Sequence, residues 1–467
     1  LFCVSADSPA IAVSEFCIWC YNRFRLNRNL IFLNRTQTSR RRTTIPDRKE
    51  RFILQQGLQT KMGFNNPFVS LKHKNFRYYF YGMCVSTIGT WMQNTAQPWL
   101  AYTLTKSALL LSLVSALQFV PVLLFSLFAG VLIDRLPKKK VLIVTQSLSM
   151  LITFAVFLLV WSGKIQYWHL LITSTLMGLV NTLDMPLRQS FVVELVGHDD
   201  LMNAIALNSV TFNVARMLGP SIAGIVMGSF GISICFLANS ISFGAVLISL
   251  FFIHPEVTAK KPERLLGSVF ANIKEGLDYI RTHSVLFVTL LITAVVSTFT
   301  PNFSVTIPVF AKQILGQAET GYGLLMSAMG AGALCGAFLI AALSKNGPKR
   351  FILFVVPVVV GITLGLVGFT SAFWLTGVAI AITGFFFVSY ISSANSNMQI
   401  HTEDQYRGRV MSVYTFINAG STPVGNLFVG GMDTWLGARA GFIASGAAIL
   451  LLMIPIYLFL YRKRDAA

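Results

Sequence analysis

The chain has 467 residues, of which 54% are hydrophobic and only 12% charged, and its mean hydropathy is +0.65. This composition excludes a soluble enzyme of that length and describes a polytopic helical membrane protein. The net charge of +19 does not indicate nucleic acid, because the basic residues fall in short blocks between long apolar runs, as loops facing the cytoplasm do.

Residues 1–61 stand apart from the rest of the chain. They carry eleven Lys and Arg against four acids, include the run Arg40, Arg41, Arg42, and offer only one short apolar patch, interrupted by Glu15. The stretch reads either as upstream sequence translated in frame, with Met62 the true start, or as an organellar transit peptide; no stable fold is expected there. Cys17 and Cys20 form a CxxC within it, which alone is weak evidence for metal or redox chemistry. Cys84, Cys235 and Cys335 each stand alone in apolar sequence, where cysteine behaves as a small hydrophobe.

From Phe76 the apolar runs succeed one another closely: Phe76–Leu104, Leu109–Ile133, Val141–Trp161, Trp168–Val196, Asn203–Ser229, Ile232–Ile253, Val285–Ala311, Gly321–Leu343, Phe351–Thr370, Phe373–Ile400, Val410–Leu436 and Arg439–Tyr461. Each of the twelve is long enough to cross about 30 Å of hydrocarbon as a helix. An even count places both chain ends on one side. From Met62 onward that side holds 21 Lys and Arg, against Lys106, Lys164, Lys312 and Arg439 on the other, so both termini are expected in the cytoplasm.

The longest polar interruption, His254 to Ser284, divides the spans six and six. The expected organisation is an extension (1–61), a first six-helix bundle (62–253), a cytoplasmic linker (254–284) and a second bundle (285–467). Within the linker, Leu266, Val269, Ile273, Leu277 and Ile280 recur at helical spacing, so it should contain an amphipathic helix. The halves repeat. Val210 is followed ten residues later by Pro220, and Val413 ten residues later by Pro423, an offset of 203 that maps the fifth span onto the eleventh. A parallel repeat of two bundles, with a pseudo-two-fold axis between them, is a transporter architecture whose substrate site lies between the halves.

Charge is scarce inside the spans, so the hairpin from Met177 to Gly231, with Asp184, Arg188 and Arg216, draws attention. An ionised group at that depth needs a partner or a watery cavity. Counted from the loop between the fourth and fifth spans, Asp184 and Arg216 both lie roughly 18–20 Å deep on adjacent antiparallel helices and are expected to pair, as a buried ion pair or a coupling site. Arg188 competes from i+4, but Pro186 falls in the intervening turn.

These features together resemble the major facilitator superfamily, and within it the branch of enterobactin exporters and drug-efflux proteins, the transmembrane secretion effectors. The resemblance runs from about Phe64 to Tyr461. It rests on GTWMQNTAQPWLAYTLTKSALLLSL, GVLIDRLPKKK, LDMPLRQSFVVELV and LNSVTFNVARMLGPSIAG in the first half, with GYGLLMSAMGAGALCGAF and YRGRVMSVYTFINAGSTPVGN in the second. It implies twelve transmembrane helices in two bundles and a conformational latch at Gly130, Asp134 and Arg135. Pro137 stands where the family has Gly, and Ser344 replaces the Asp of the repeat-related loop, so such a latch is one-sided.

The resemblance also implies an exporter-type motif at Gly219, Pro220 and Gly224, with Ala223 in place of the first of its paired glycines. Ser174 stands where proton-coupled drug exporters carry an Arg. In the family the first, seventh and tenth spans line the cavity, which nominates Gln93, Asn94, Gln97, Asn302, Asn395 and Asn397, in company with aromatic residues that suit an amphipathic substrate.

There is no GxxxxGK[ST] phosphate loop or HExxH, and the six histidines lie near span edges. No enzyme activity, cofactor, metal or nucleotide is expected. The expectation is a monomeric secondary exporter of amphipathic small molecules of drug or siderophore type, working by alternating access in a bacterial plasma membrane, with the Asp184–Arg216 pair either a static structural pair or a proton-coupling site. The alternatives are an uptake carrier for a metabolite and a non-transporting receptor or channel.

Overall fold

The structure is a computed structural model, and it describes residues 68–133, 136–197, 199–253, 268–343, 350–465. The helices are α1 (Lys74–Thr105), α2 (Ala108–Ile133), α3 (Lys138–Trp161), α4 (Tyr167–Val196), α5 (Leu201–Phe230), α6 (Ile232–Phe252), α7 (Ser268–Thr282), α8 (Ser284–Phe299), α9 (Phe303–Gln313), α10 (Glu319–Leu343), α11 (Arg350–Val367), α12 (Phe373–Ile400), α13 (Asp404–Leu436) and α14 (Ala440–Asp465). Counting α8 and α9 as one broken span gives twelve crossings, arranged as two six-helix bundles. Among the described residues nine of these pass on length and apolarity alone. The exceptions are α11, which is short, and α1 and α13, diluted by polar residues.

Loop chemistry explains where the helices stop. Lys106 takes a left-handed conformation (φ 51°) and closes α1 by donating its backbone N–H to the Tyr102 carbonyl, so α2 begins two residues later. Gly231 (φ 87°) and Gly437 (φ 91°) end α5 and α13, the two repeat-related helices, in a conformation that a Cβ would disfavour. The repeat extends to helix starts: α5 opens at Leu201 and α13 at Asp404, again 203 apart.

The seventh span departs from the continuous helix expected over Val285–Ala311. It breaks at Thr300, Pro301 and Asn302. Pro301 has no N–H with which to continue the helix and its ring crowds the preceding turn, while Thr300 itself keeps helical backbone angles. The Asn302 side chain repairs part of the loss by donating to the Thr298 carbonyl at 2.8 Å. Gly425 of α13 backs onto the break, where an added Cβ would lie 1.7 Å from the same carbonyl oxygen.

Within each bundle, small residues bring backbones together. A Cβ on Gly178 of α4 would meet the Gln118 carbonyl of α2 at 2.4 Å, and one on Gly332 of α10 would meet the Ala381 carbonyl of α12 at 1.8 Å. The outward surface is apolar: Leu151, Trp161, Ile248, Phe251, Trp374 and Leu451 are all exposed, as side chains facing lipid are. The linker helix α7 lies against α13. Gly276 abuts the backbone of Arg409, Tyr279 stacks on Tyr406 with centroids 4.3 Å apart, and Glu275 pairs with Arg409.

Candidate translocation site

Helices alternate in direction, so the molecule has two ends. The basic end carries the starts of α1, α3, α5 and α13 with the Lys138–Lys140 run; the opposite end carries Lys106 and the α9–α10 loop. The two bundles meet along α5 against α10 and along α2 against α13, pairs that the repeat relates to each other.

The seam between α5 and α10 is built from residues without bulk. A Cβ on Gly323 would lie 2.5 Å from the Pro220 carbonyl, and one on Gly224 would lie 3.1 Å from the Gly323 Cα. Thr320 donates to the Gly224 carbonyl at 3.2 Å, and Ser221 to Ser327 at 2.6 Å. Pro220 leaves the Arg216 carbonyl without its helical donor, and that carbonyl abuts Gly330, where a Cβ would lie 2.6 Å away. Thus Pro220 and Gly224 form the joint between bundles, while Gly219 is pressed against Trp91 of α1.

Beyond the seam, at the end opposite the basic one, aromatic and charged groups cap the interface. Trp99 of α1 stacks on Tyr322 of α10 with centroids 5.2 Å apart and donates its indole N–H to Glu319 at 3.1 Å. The Lys312 ammonium lies 5.4 Å from the Trp99 ring, and Gln313 donates to the Tyr102 hydroxyl at 2.7 Å. Trp99, Tyr102 and Tyr322 are all buried. On the α2–α13 side, Thr434 accepts from the Leu109 N–H at 3.0 Å, and Gly430 admits Ser112.

A cavity of about 340 Å³ opens between α2 and α13, lined by Phe119, Val122 and Leu123 on one side and by Met411, Thr415 and Ala419 among others on the second. Among the described residues, the bond between Trp99 and Glu319 has no counterpart at the basic end. The latch residues Asp134 and Arg135 lie outside the described residues, as does Ser344. Gly130 belongs to α2.

The nominated polar residues divide into two groups. Gln93 accepts from Asn239 of α6 and from Thr153 of α3 (3.1 Å), Gln97 donates to Ser174 of α4 (2.7 Å), and Asn397 donates to Thr289 of α8 (2.9 Å). These three tie helices within their own bundles, while the Asn302 side chain donates to the Thr298 carbonyl of its own broken span. Asn94 is exposed, and half-buried Asn395 accepts from Gln399 at 2.6 Å.

The expected Asp184–Arg216 pair is not formed. Helix α4 runs unbroken through Pro186, so Arg188 stays at i+4 and binds Asp184 from the same helix. Thr145 and Gln146 of α3 both donate to Asp184 Oδ1 at 2.7 Å. The local partner wins because three donors on α3 and α4 saturate the carboxylate, whereas the Arg216 side chain is held by Asn213 of its own helix. Sequence reasoning also missed Asp433, a buried carboxylate in α13 that accepts from the Gly441 N–H at 2.7 Å. Its spacing from the span end was the available signal.

The family model described as a transmembrane secretion effector matches residues 65–467. The chain is 25% identical over 394 residues to the staphyloferrin A transporter of Staphylococcus aureus, covering 83% of this chain and 96% of that one. It is 27% identical over 382 residues to the multidrug efflux pump Tap of Mycolicibacterium fortuitum, covering 80% and 92%. In fold it is similar to a bacterial homologue of the human lysosomal transporter Spinster, solved inward-facing and unoccupied, with a TM-score of 0.67, 12% identity and coverage of 82% and 96%. Twelve crossings in two repeated bundles and a match across the whole described region agree: the chain belongs to the transmembrane secretion effector family of the major facilitator superfamily, and is a multi-pass membrane transporter rather than an enzyme.

Proposed function

We propose that the protein is a secondary exporter of amphipathic small molecules, working by alternating access in a bacterial plasma membrane with both termini in the cytoplasm. The observation that carries this reading is the asymmetry of the interface, sealed by Trp99, Glu319 and Tyr322 at one end and holding an open cavity between α2 and α13 toward the basic end. By the positive-inside rule the open end faces the cytoplasm, which is where an exporter loads. The multidrug efflux pump among the relatives supports the same direction.

Glu319 supports proton coupling at the seam rather than at Asp184. A proton arriving on Glu319 would remove the charge that strengthens its bond to Trp99 and so weaken the seal. Asp184, by contrast, is saturated inside one bundle. The test is transport into energised everted vesicles from cells expressing the chain, using a panel of dyes and siderophores. Accumulation abolished by an uncoupler supports proton-linked export. Accumulation only in right-side-out vesicles would make the protein an uptake carrier.

A further inference from the structure

Arg216 is the unexplained charge of this molecule. Among the described residues no Asp or Glu pairs with it. Its Nη2 donates to Asn213 Oδ1 at 3.0 Å, and its buried Nε has no acceptor. Each of the other deep cations is accounted for: Arg188 by Asp184, and Arg439, near the opposite end, by the carbonyls of Gly368 and Thr370. A half-buried guanidinium whose Nε is shut away without an acceptor is costly, and the cost is lifted by a charge that arrives from outside.

Its position says where that charge would come from. On α5, Gly219 faces Trp91 of α1 and Pro220 faces Gly323 of α10. Arg216 lies one turn below both, on the helix face between them, so it points into the wedge between the first bundle and the second. The repeat gives an independent placement. An offset of 203 carries Arg216 to Ala419, which lines the cavity between α2 and α13. Phe212, one turn from Arg216 on the same face, is exposed and meets Trp91 edge-on with centroids 5.5 Å apart, placing aromatic surface beside the cation.

We infer that Arg216, oriented by Asn213 and flanked by Trp91 and Phe212, is the binding site for the carboxylate of an amphipathic organic anion, which is the class of substrate this transporter carries. The guanidinium fork matches a carboxylate with two parallel hydrogen bonds, and the flanking rings accept the apolar body of the same molecule. The half-related position in the second bundle is alanine, so the site holds one anionic group on the α5 side and leaves the α13 side for apolar contact. The assignment rests on the reading of the chain as a carrier with its substrate path between the bundles.

The test is equilibrium binding to the full-length protein in detergent, which needs no transport. Carboxyfluorescein and the cation ethidium serve as probes, with anisotropy as the readout, beside thermal unfolding with and without citrate. The wild type should prefer carboxyfluorescein. Arg216→Gln should weaken its binding about tenfold or more, and Arg216→Lys, which keeps the charge but loses the fork, should weaken it less. Without a probe, Arg216→Gln should unfold at or above the wild-type temperature, and citrate should raise the unfolding temperature of the wild type alone. Equal binding by wild type and Arg216→Gln overturns the assignment. So does a variant that is less stable and as indifferent to citrate as the wild type, which would make Arg216 a packing element. Arg216-dependent binding without net transport in vesicles would uphold the site and refute the exporter reading.

Discussion

Trp99 in the first bundle and Glu319 in the second share a hydrogen bond of 3.1 Å at the end where the bundles are closed. On the proposed alternating-access reading, the two residues belong to bodies that part for substrate to leave, and this bond is made in one state of the cycle only. Bonds to a charged group contribute about 1.5–3 kcal/mol net, which is a tenfold or greater bias toward the closed seal.

Glu319→Gln should therefore shift the resting population toward opening at that end. In a background with native cysteines replaced by serine, a cysteine at Ser221, in the seam against Ser327, should react with maleimide about tenfold faster when Glu319→Gln is present. An unchanged rate would mean that the glycine joint alone holds the seal.

Gly323→Val tests that joint. A Cβ at this position lies 2.5 Å from the Pro220 carbonyl, a contact with backbone that cannot rotate away. The variant should insert and express at the wild-type level, yet lose at least tenfold in transport, because the bundles can no longer close on each other. Full activity would place the seam elsewhere.

Asp184→Asn should lower the unfolding temperature sharply, since removing one partner of a buried pair costs about 3–5 kcal/mol. Arg188 would be left without its carboxylate, and Thr145 and Gln146 would lose a charged acceptor. Combining Asp184→Asn with Arg188→Leu should recover part of the loss. A stable single variant that has lost only the pH dependence of transport would instead return Asp184 to the coupling machinery.

At the basic end, hydrogen bonds from Lys72 and from His73, each at 2.7 Å, hold the Asp200 carboxyl below its ordinary value. A depressed folded-state value means that the tether between the start of α1 and the α4–α5 loop is fully present above the ordinary carboxylate range. It is lost as the pH falls through the lowered value. Amide exchange at the first turn of α1 should therefore quicken with acid beyond the intrinsic pH effect in the wild type. It should be already quick at neutral pH in Asp200→Asn.

Most of the fold was legible because lipid imposes a simple rule: apolar runs of sufficient length must be helices. The twelve runs and the offset of 203 came from that rule and from Pro220 and Pro423. The break at Pro301 was readable too, but a proline inside a long apolar run is often tolerated, as Pro186 is in α4. The site was less legible. Depth along a helix can be counted from a span end, but which way a side chain faces depends on neighbours that the spacing does not name. Asp184 and Arg216 share a depth and take different partners. Gln93, Gln97 and Asn397 have the composition of a cavity lining and serve as ties within bundles. Trp99 and Glu319 lie 220 residues apart, and nothing in either local sequence marks the pair.

Alternating access is tested most directly by two spin-label distances measured together in proteoliposomes. One pair, at Ser107 and Gly316, spans the bundles at the sealed end; the other, at Gly197 and Glu403, spans them at the basic end. Passing from wild type to Glu319→Gln should lengthen the first distance and shorten the second in the same sample. Distances that both stay fixed, or that change in the same direction, would contradict a carrier that opens to one side at a time.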